Sequence, residues 1–172
     1  DHGFQVLLTN YQEVQRYLDL TALDLRHFTS GAIIFHQGHR MRIGDPLRDP
    51  ALAIPMVFSS VGTLRDKWLM FRLAQELKRT DRTAVFASAH GSTFDYLRQY
   101  GFSNRIIETF FRPFFGGIFL ENDLSTGAGM FRFVFKMFSE GSAAIPAKGM
   151  EAIIQQLQHS LHSTQFDFNQ PV

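Results

Sequence analysis

Cysteine is absent from the 172-residue sequence, which removes disulfides, thiol nucleophiles and cysteine-held iron–sulfur clusters. Excess charge is nearly absent too: 17 Lys and Arg against 16 Asp and Glu leave a formal net charge of +1. The strongly basic face of a dedicated nucleic-acid binder is therefore missing, and no nucleic-acid partner is expected. No apolar run approaches the ~18–20 residues that span a bilayer. The opening Asp1-His2-Gly3-Phe4 has neither the basic start nor the apolar stretch of a secretory signal. The lack of cysteine favours a reducing compartment, cytoplasmic or organellar. What the sequence has in quantity is phenylalanine, with 19 Phe against one Trp and four Tyr. A purely apolar aromatic in that number packs a large core or lines an oily pocket.

Periodicity gives a β-rich start, a helical middle and a strand-like end. Residues 4–9 read as a short strand, and Asn10 with Glu13 reads as the capping box of a helix striped by Val14, Tyr17 and Leu18. Gly31–His36 and residues 39–43 alternate around Gln37-Gly38, the two-residue turn of a hairpin. Ile33, Phe35, Met41 and Ile43 are read as its apolar face, and Arg40 and Arg42 as facing water. Asp45-Pro46 and Asp49-Pro50 end this section. Thr63 with Asp66 opens a helix led by Leu64, Trp68 and Phe71 and widened by Leu69, Leu73 and Leu77, with Lys78 and Arg79 at its negative end. Ser92 with Asp95 caps a second helix, stopped by Gly101, and Ser103 caps a third that ends before Arg112-Pro113.

Residues 129–140 are apolar nearly all round, with Arg132, Lys136 and Glu140 spaced by four as the one polar stripe; they predict a central buried helix. A last amphipathic helix carries Met150, Ile153, Ile154, Leu157 and Leu161, and Phe166-Asp167-Phe168 alternates like a strand. Strands at both ends with helices between make an α+β fold. Its end strands are expected to find their partners in a longer chain.

Most candidate chemistry has a plain structural reading. His36 and His39 flank the hairpin turn, but a zinc site needs three or four ligands and no Cys or carboxylate is near, so no metal is expected. His90-Gly91-Ser92 lacks the G-x-S-x-G of a nucleophile elbow, and Ser92 is already used as a cap. Gly127-Ala128-Gly129 begins like a dinucleotide fingerprint, but Arg132 replaces the third glycine and no strand precedes it, so it reads as a loop entering a helix. His159 and His162 are read as solvated at a helix end.

Two segments stand apart. Phe110-Phe111-Arg112-Pro113-Phe114-Phe115-Gly116-Gly117-Ile118-Phe119 encloses one guanidinium in aromatic rings. It reads either as a core turn, with Arg112 saturated by carbonyls or a carboxylate, or as the wall of an apolar cavity. Ala144-Ile145-Pro146-Ala147-Lys148-Gly149-Met150 reads as a loop running onto a helix start, whose amides can face an anion or a flavin edge.

Together with Asp1-His2-Gly3-Phe4-Gln5-Val6-Leu7-Leu8-Thr9, these segments resemble the flavin-containing amine oxidases in the broad sense. The likeness is to the branch of protoporphyrinogen-oxidase-like and phytoene-desaturase-like FAD-dependent oxidoreductases, and it runs in order along the whole chain. Lys148 stands where the family pattern has the first glycine of a pair, and Glu151 where glycine is common.

The resemblance implies an FAD-dependent oxidoreductase acting on a hydrophobic small molecule. Residues 1–9 would be a stub of the FAD-binding domain, 10–144 a mainly helical substrate-binding domain with its hairpin, and 145–172 the return into the FAD-binding domain. The G-x-G-x-x-G unit would belong to missing segments of the same protein, leaving this portion inactive alone. Gly3, Phe4, Gln5, Pro146, Gly149 and Met150 would approach the flavin, and Arg112, Phe114, Phe115 and Phe119 would bind substrate; no catalytic residue is named. The competing readings are a non-enzymatic apolar-ligand or lipid-binding module, and a helical domain making peripheral membrane or partner contact through exposed Phe.

Overall fold

The structure, a computed structural model, describes residues 5–36, 38–44, 61–87 and 90–168. Its elements in chain order are β1 (Leu7–Leu8), α1 (Gln12–Tyr17), β2 (Leu25–His27), β3 (Gly31–His36), β4 (His39–Gly44), α2 (Leu64–Arg79), α3 (Arg82–Ala87), α4 (Thr93–Tyr100), α5 (Asn104–Ile106), a π-helical turn (Ile107–Phe111), α6 (Arg112–Phe119), α7 (Ala128–Glu140), β5 (Ala143–Pro146) and α8 (Glu151–Ser160). The fold is α+β, with two antiparallel sheets, β1-β5-β2 and β3-β4. Chain contacts separate two units. One is made from both ends of the chain, up to Phe28 and from Gly141 onward; the other spans Thr29–Glu140. The Asp-Pro pairs at 45–46 and 49–50 lie outside the described residues.

In the Thr29–Glu140 unit the core is aromatic. Phe111, Phe115 and Phe131 are fully buried beside Leu73, Leu77 and Leu97. Helix α7 is the central element, as its sequence predicts. Its polar stripe, however, faces inward: Arg132 and Lys136 are both buried. Lys136 Nζ donates to Leu77 O (2.6 Å) and Lys78 O (3.2 Å) at the end of α2, and also to Glu140 Oε1 (2.5 Å). Arg132 Nη1 donates to Val85 O in α3 (3.0 Å). Each cation satisfies late carbonyls of a neighbouring helix, at the end where the dipole favours positive charge. Helix α3 itself carried no sequence signal strong enough to be read.

The caps at Thr63, Ser92 and Ser103 all form, and Gly101 ends α4 in the left-handed region at φ +103°. Asp66 joins two of these caps. Its carboxylate accepts from Thr63 N (2.7 Å) and Oγ1 (2.8 Å), and from Ser103 N (2.8 Å) and Oγ (2.7 Å). Burial alone would raise its pKa, but these four bonds outweigh burial and hold it below the usual value.

Three expectations fail in this unit. The helix capped by Ser103 does not stop before Arg112-Pro113; it continues through the π-helical turn into α6. Pro113 lacks an N–H and crowds the preceding turn. The wider π turn, closing Arg112 N–H on Ile107 O, absorbs it. On α2 the buried face is Leu69, Leu73 and Leu77, whereas Leu64, Trp68 and Phe71 are exposed. In the hairpin, whose register pairs His36 with His39, Ile34 faces Met41 and both pack on the core; Ile33 and Phe35 point out, Phe35 being 73% exposed. Phe35 pairs with Arg40, whose guanidinium lies 6.0 Å from its ring.

The unit formed by the chain ends has a smaller core: Leu7, Leu23, Met150 and Ile153, flanked by Val14, Leu18, Leu25 and Ile145. The strand read at 4–9 is reduced to Leu7–Leu8, which pairs with β5. The capping box at Asn10 does not form. Tyr11 N–H closes a turn on Leu8 O and becomes the N-cap of α1, leaving Asn10 in the turn ahead of the helix. Residues 143–146, read as loop, form the middle strand of the sheet. Helix α8 buries only Ile153 of its own residues, while Ile154, Leu157 and Leu161 are exposed. Phe166 and Phe168 share a side, with rings stacked 6.2 Å apart, but form no strand among the described residues.

Candidate functional site

The aromatic segment occupies the π-helical turn and α6. Phe115 is buried, its ring 4.8 Å from Phe131 and 5.2 Å from Phe114, with Phe111, Phe119 and Phe135 also around it. Phe114 and Phe119 are half-buried on the same cluster, Phe114 stacking on Phe110 and meeting Phe138 edge-on. Such edge and offset pairs add roughly 0.5–1.5 kcal/mol each beyond their buried area.

Arg112 is engaged at all three nitrogens: Nε and Nη2 on the two Glu108 oxygens (2.8 and 3.0 Å) and Nη1 on Asn122 O (2.5 Å), with the guanidinium 5.7 Å from the Phe94 ring. The hydrogen bonds it donates to Glu108 raise its pKa further above the usual guanidinium value. Arg112 thus ties α6 to the loop that follows it, in the arrangement of a carboxylate- and carbonyl-saturated corner. Gly116 makes that corner feasible, because a Cβ there would stand 2.6 Å from Glu121 O; at Gly117 the same space is open.

The second segment lies in the unit of the chain ends. β5 runs into a turn in which Gly149 N–H closes on Pro146 O (2.9 Å), and α8 follows at once. Gly149 has φ +86°, a conformation that favours glycine, and nothing lies within 4 Å of where its Cβ would be. Met150, the N-cap of α8, makes no side-chain capping bond; its side chain is buried in the core with Leu7 and Leu23. Pro146, Gly149 and Met150 are therefore brought into a single turn. Gln5 is exposed, and because β1 runs antiparallel to β5 it lies at the same end of the sheet as Pro146. Gly3 and Phe4 lie outside the described residues.

Other polar groups here gave little signal in the sequence. Thr9, Leu20, Thr21, Asp24, Leu25 and His27 line an open groove of about 350 Å³. At its edge His27 Nδ1 meets Ser142 Oγ (2.8 Å), which in turn meets Thr9 Oγ1 (3.2 Å). These residues are far apart in sequence and are joined only by the pairing of β1 and β2 to β5. In the other unit, Tyr96 lies against Phe131 and under the Arg132 guanidinium (5.9 Å). Burial pushes its pKa up to about 12, against the opposing pull of Arg132.

No curated protein and no solved structure matches the chain. The family model for flavin containing amine oxidoreductase matches residues 1–172. That match covers both segments described above, and the chain belongs to the flavin-containing amine oxidoreductase family.

Proposed function

We propose that the protein is an FAD-dependent oxidoreductase for an apolar small molecule. In this reading the unit of the chain ends meets the flavin and the Thr29–Glu140 unit serves the substrate. The observation that carries it is the turn from Pro146 to Met150: an open, left-handed Gly149 at the start of α8, with Gln5 at the same end of the sheet. A flat ring system can approach the main chain where no Cβ stands in the way, and the turn holds its own shape, with Gly149 N–H on Pro146 O, Ala152 N–H on Gly149 O and Ile153 N–H on Met150 O. These features fit one edge of the cofactor. The sequence has no complete G-x-G-x-x-G, so the grip on the pyrophosphate lies outside these 172 residues.

When bound, FAD supplies the two-electron acceptor for a C–H bond of the substrate. The chain's own residues then have structural tasks. Gly149 keeps the approach open, and Met150 anchors the turn to the small core. Phe115 and Arg112 fix α6, so that half-buried Phe114 and Phe119 offer apolar surface that excludes water. The carrier reading has less in its favour, since the rings that would line a carrier's cavity, Phe111, Phe115 and Phe131, are packed against one another.

Titration of the 172-residue chain with FAD tests this division. Weak binding is expected, and tight stoichiometric binding would place the pyrophosphate grip inside the chain. In the holoprotein, Gly149→Asn, which keeps the left-handed backbone while adding a side chain, should lower flavin content with far-UV circular dichroism unchanged. Flavin content equal to wild type would remove Gly149 from the cofactor edge.

A further inference from the structure

Helix α2 has two opposite apolar faces. Leu69, Leu73 and Leu77 are buried, whereas Leu64, Trp68 and Phe71 turn outward and are 66, 57 and 50% exposed. An outward Leu-Trp-Phe ridge does nothing for the core and is not favoured in water. Its surroundings are cationic. At 3.6 residues per turn, Arg65, Arg72 and Arg79, seven apart, follow one flank of the ridge, and Lys67 and Lys78 follow the other. The three arginines and Lys78 are exposed. The Arg72 guanidinium sits 5.6 Å from the Trp68 ring and 5.4 Å from Tyr100, holding one cation at the ridge's edge. Of the helix's two acids, Asp66 is buried in the caps, and Glu76 is exposed on the arginine flank, where it accepts from the Tyr100 hydroxyl (3.1 Å); five cations stand against that one exposed carboxylate.

We propose that this face of α2 docks on an anionic lipid surface, with α2 lying in the membrane plane. Charge complementarity selects that occupant. An apolar ridge flanked on both sides by cations matches a surface whose apolar interior begins just beneath a negative layer. Long Arg and Lys side chains reach that layer while their stems cover the ridge's margins. No helix among the described residues is long and apolar enough to cross a membrane, which suits contact in the plane.

Trp68 is the only tryptophan in the chain, so its emission reports insertion without a label. The 172-residue chain is mixed with vesicles of phosphatidylcholine alone, or of phosphatidylcholine and phosphatidylglycerol in equal parts. Blue-shifted emission and co-sedimentation are expected with the mixed vesicles, and little of either with phosphatidylcholine. Arg65→Gln, Arg72→Gln and Arg79→Gln combined should lower partition about tenfold or more, and Leu64→Ser with Phe71→Ser should abolish the shift. All five positions are exposed, and circular dichroism checks that the variants stay folded. Absence of binding to the mixed vesicles, or equal binding to both kinds, overturns the proposal. A blue shift that grows with protein concentration and needs no vesicles also overturns it, because a second copy of the chain then covers the ridge.

Discussion

The two units use their apolar residues in different ways. The Thr29–Glu140 unit closes most of its phenylalanines into one interlocked cluster and buries two cations to cap neighbouring helices. Among the described residues, the unit of the chain ends has a core cluster of four buried side chains and leaves Ile154 and Leu157 of α8, and Leu161 just after it, exposed. Packing is thus unevenly shared. The aromatic unit is built to hold a shape, whereas the smaller unit holds a turn open on a thin support, which is what the proposed flavin edge requires.

That contrast can be broken by substitution. Phe115→Ala removes the ring at the centre of the cluster and should cost about 3–5 kcal/mol in denaturant unfolding. A loss below about 1 kcal/mol would mean that the aromatic unit is loosely packed. Asp66→Asn should cost about 2–3 kcal/mol at neutral pH, since a charged acceptor of four hydrogen bonds is lost. Because the folded-state pKa of Asp66 is depressed, its contribution is fully present above the unfolded value of about 4 and fades as pH falls through the folded value. The pH dependence of stability in that acidic window should therefore flatten in Asp66→Asn, and an unchanged profile would contradict the hub.

Met150→Ala should cost about 2 kcal/mol, the low end for a buried methionine, because a four-residue core has room to relax. A loss as large as that of Phe115→Ala would erase the difference between the units. The two adjacent glycines of α6 give the smallest effects and opposite signs. Gly116→Ala drives a methyl against Glu121 O and should destabilise by about 1–2 kcal/mol. Gly117→Ala meets nothing and should stabilise by up to about 1 kcal/mol through helix propensity.

Features carried by local chemistry were legible in the sequence. Thr63 with Asp66, Ser92 with Asp95, and Gly101 each did what their residue types favour within a few positions. Faces were harder to read. On α2, Leu64, Trp68 and Phe71 have the same helical spacing as a core stripe, and only the tertiary contacts decide which of two apolar faces goes in. The hairpin was more readable than its expected face implied. A two-residue turn at 37–38 forces Phe35 opposite Arg40 and Ile34 opposite Met41, so the register already separated the inner side from the outer. Lys136 and Arg132 showed only their spacing, and the carbonyls they cap belong to helices dozens of residues away. Of the candidate site, Pro146, Gly149 and Met150 were adjacent in sequence and remain one turn. The place of Gln5 beside them required β1 to pair with β5, and the groove at His27 required β2 to pair with it as well.

Flavin content of the holoprotein, measured for Gly149→Asn beside Gly117→Asn, separates a cofactor edge in the smaller unit from scaffold in the aromatic unit. Both positions have open space for the added side chain, and asparagine tolerates the left-handed backbone at 149. Gly149→Asn is expected to lose most of its FAD and Gly117→Asn to retain it. Equal retention in both, or loss confined to Gly117→Asn, overturns the placement of the flavin at Gly149.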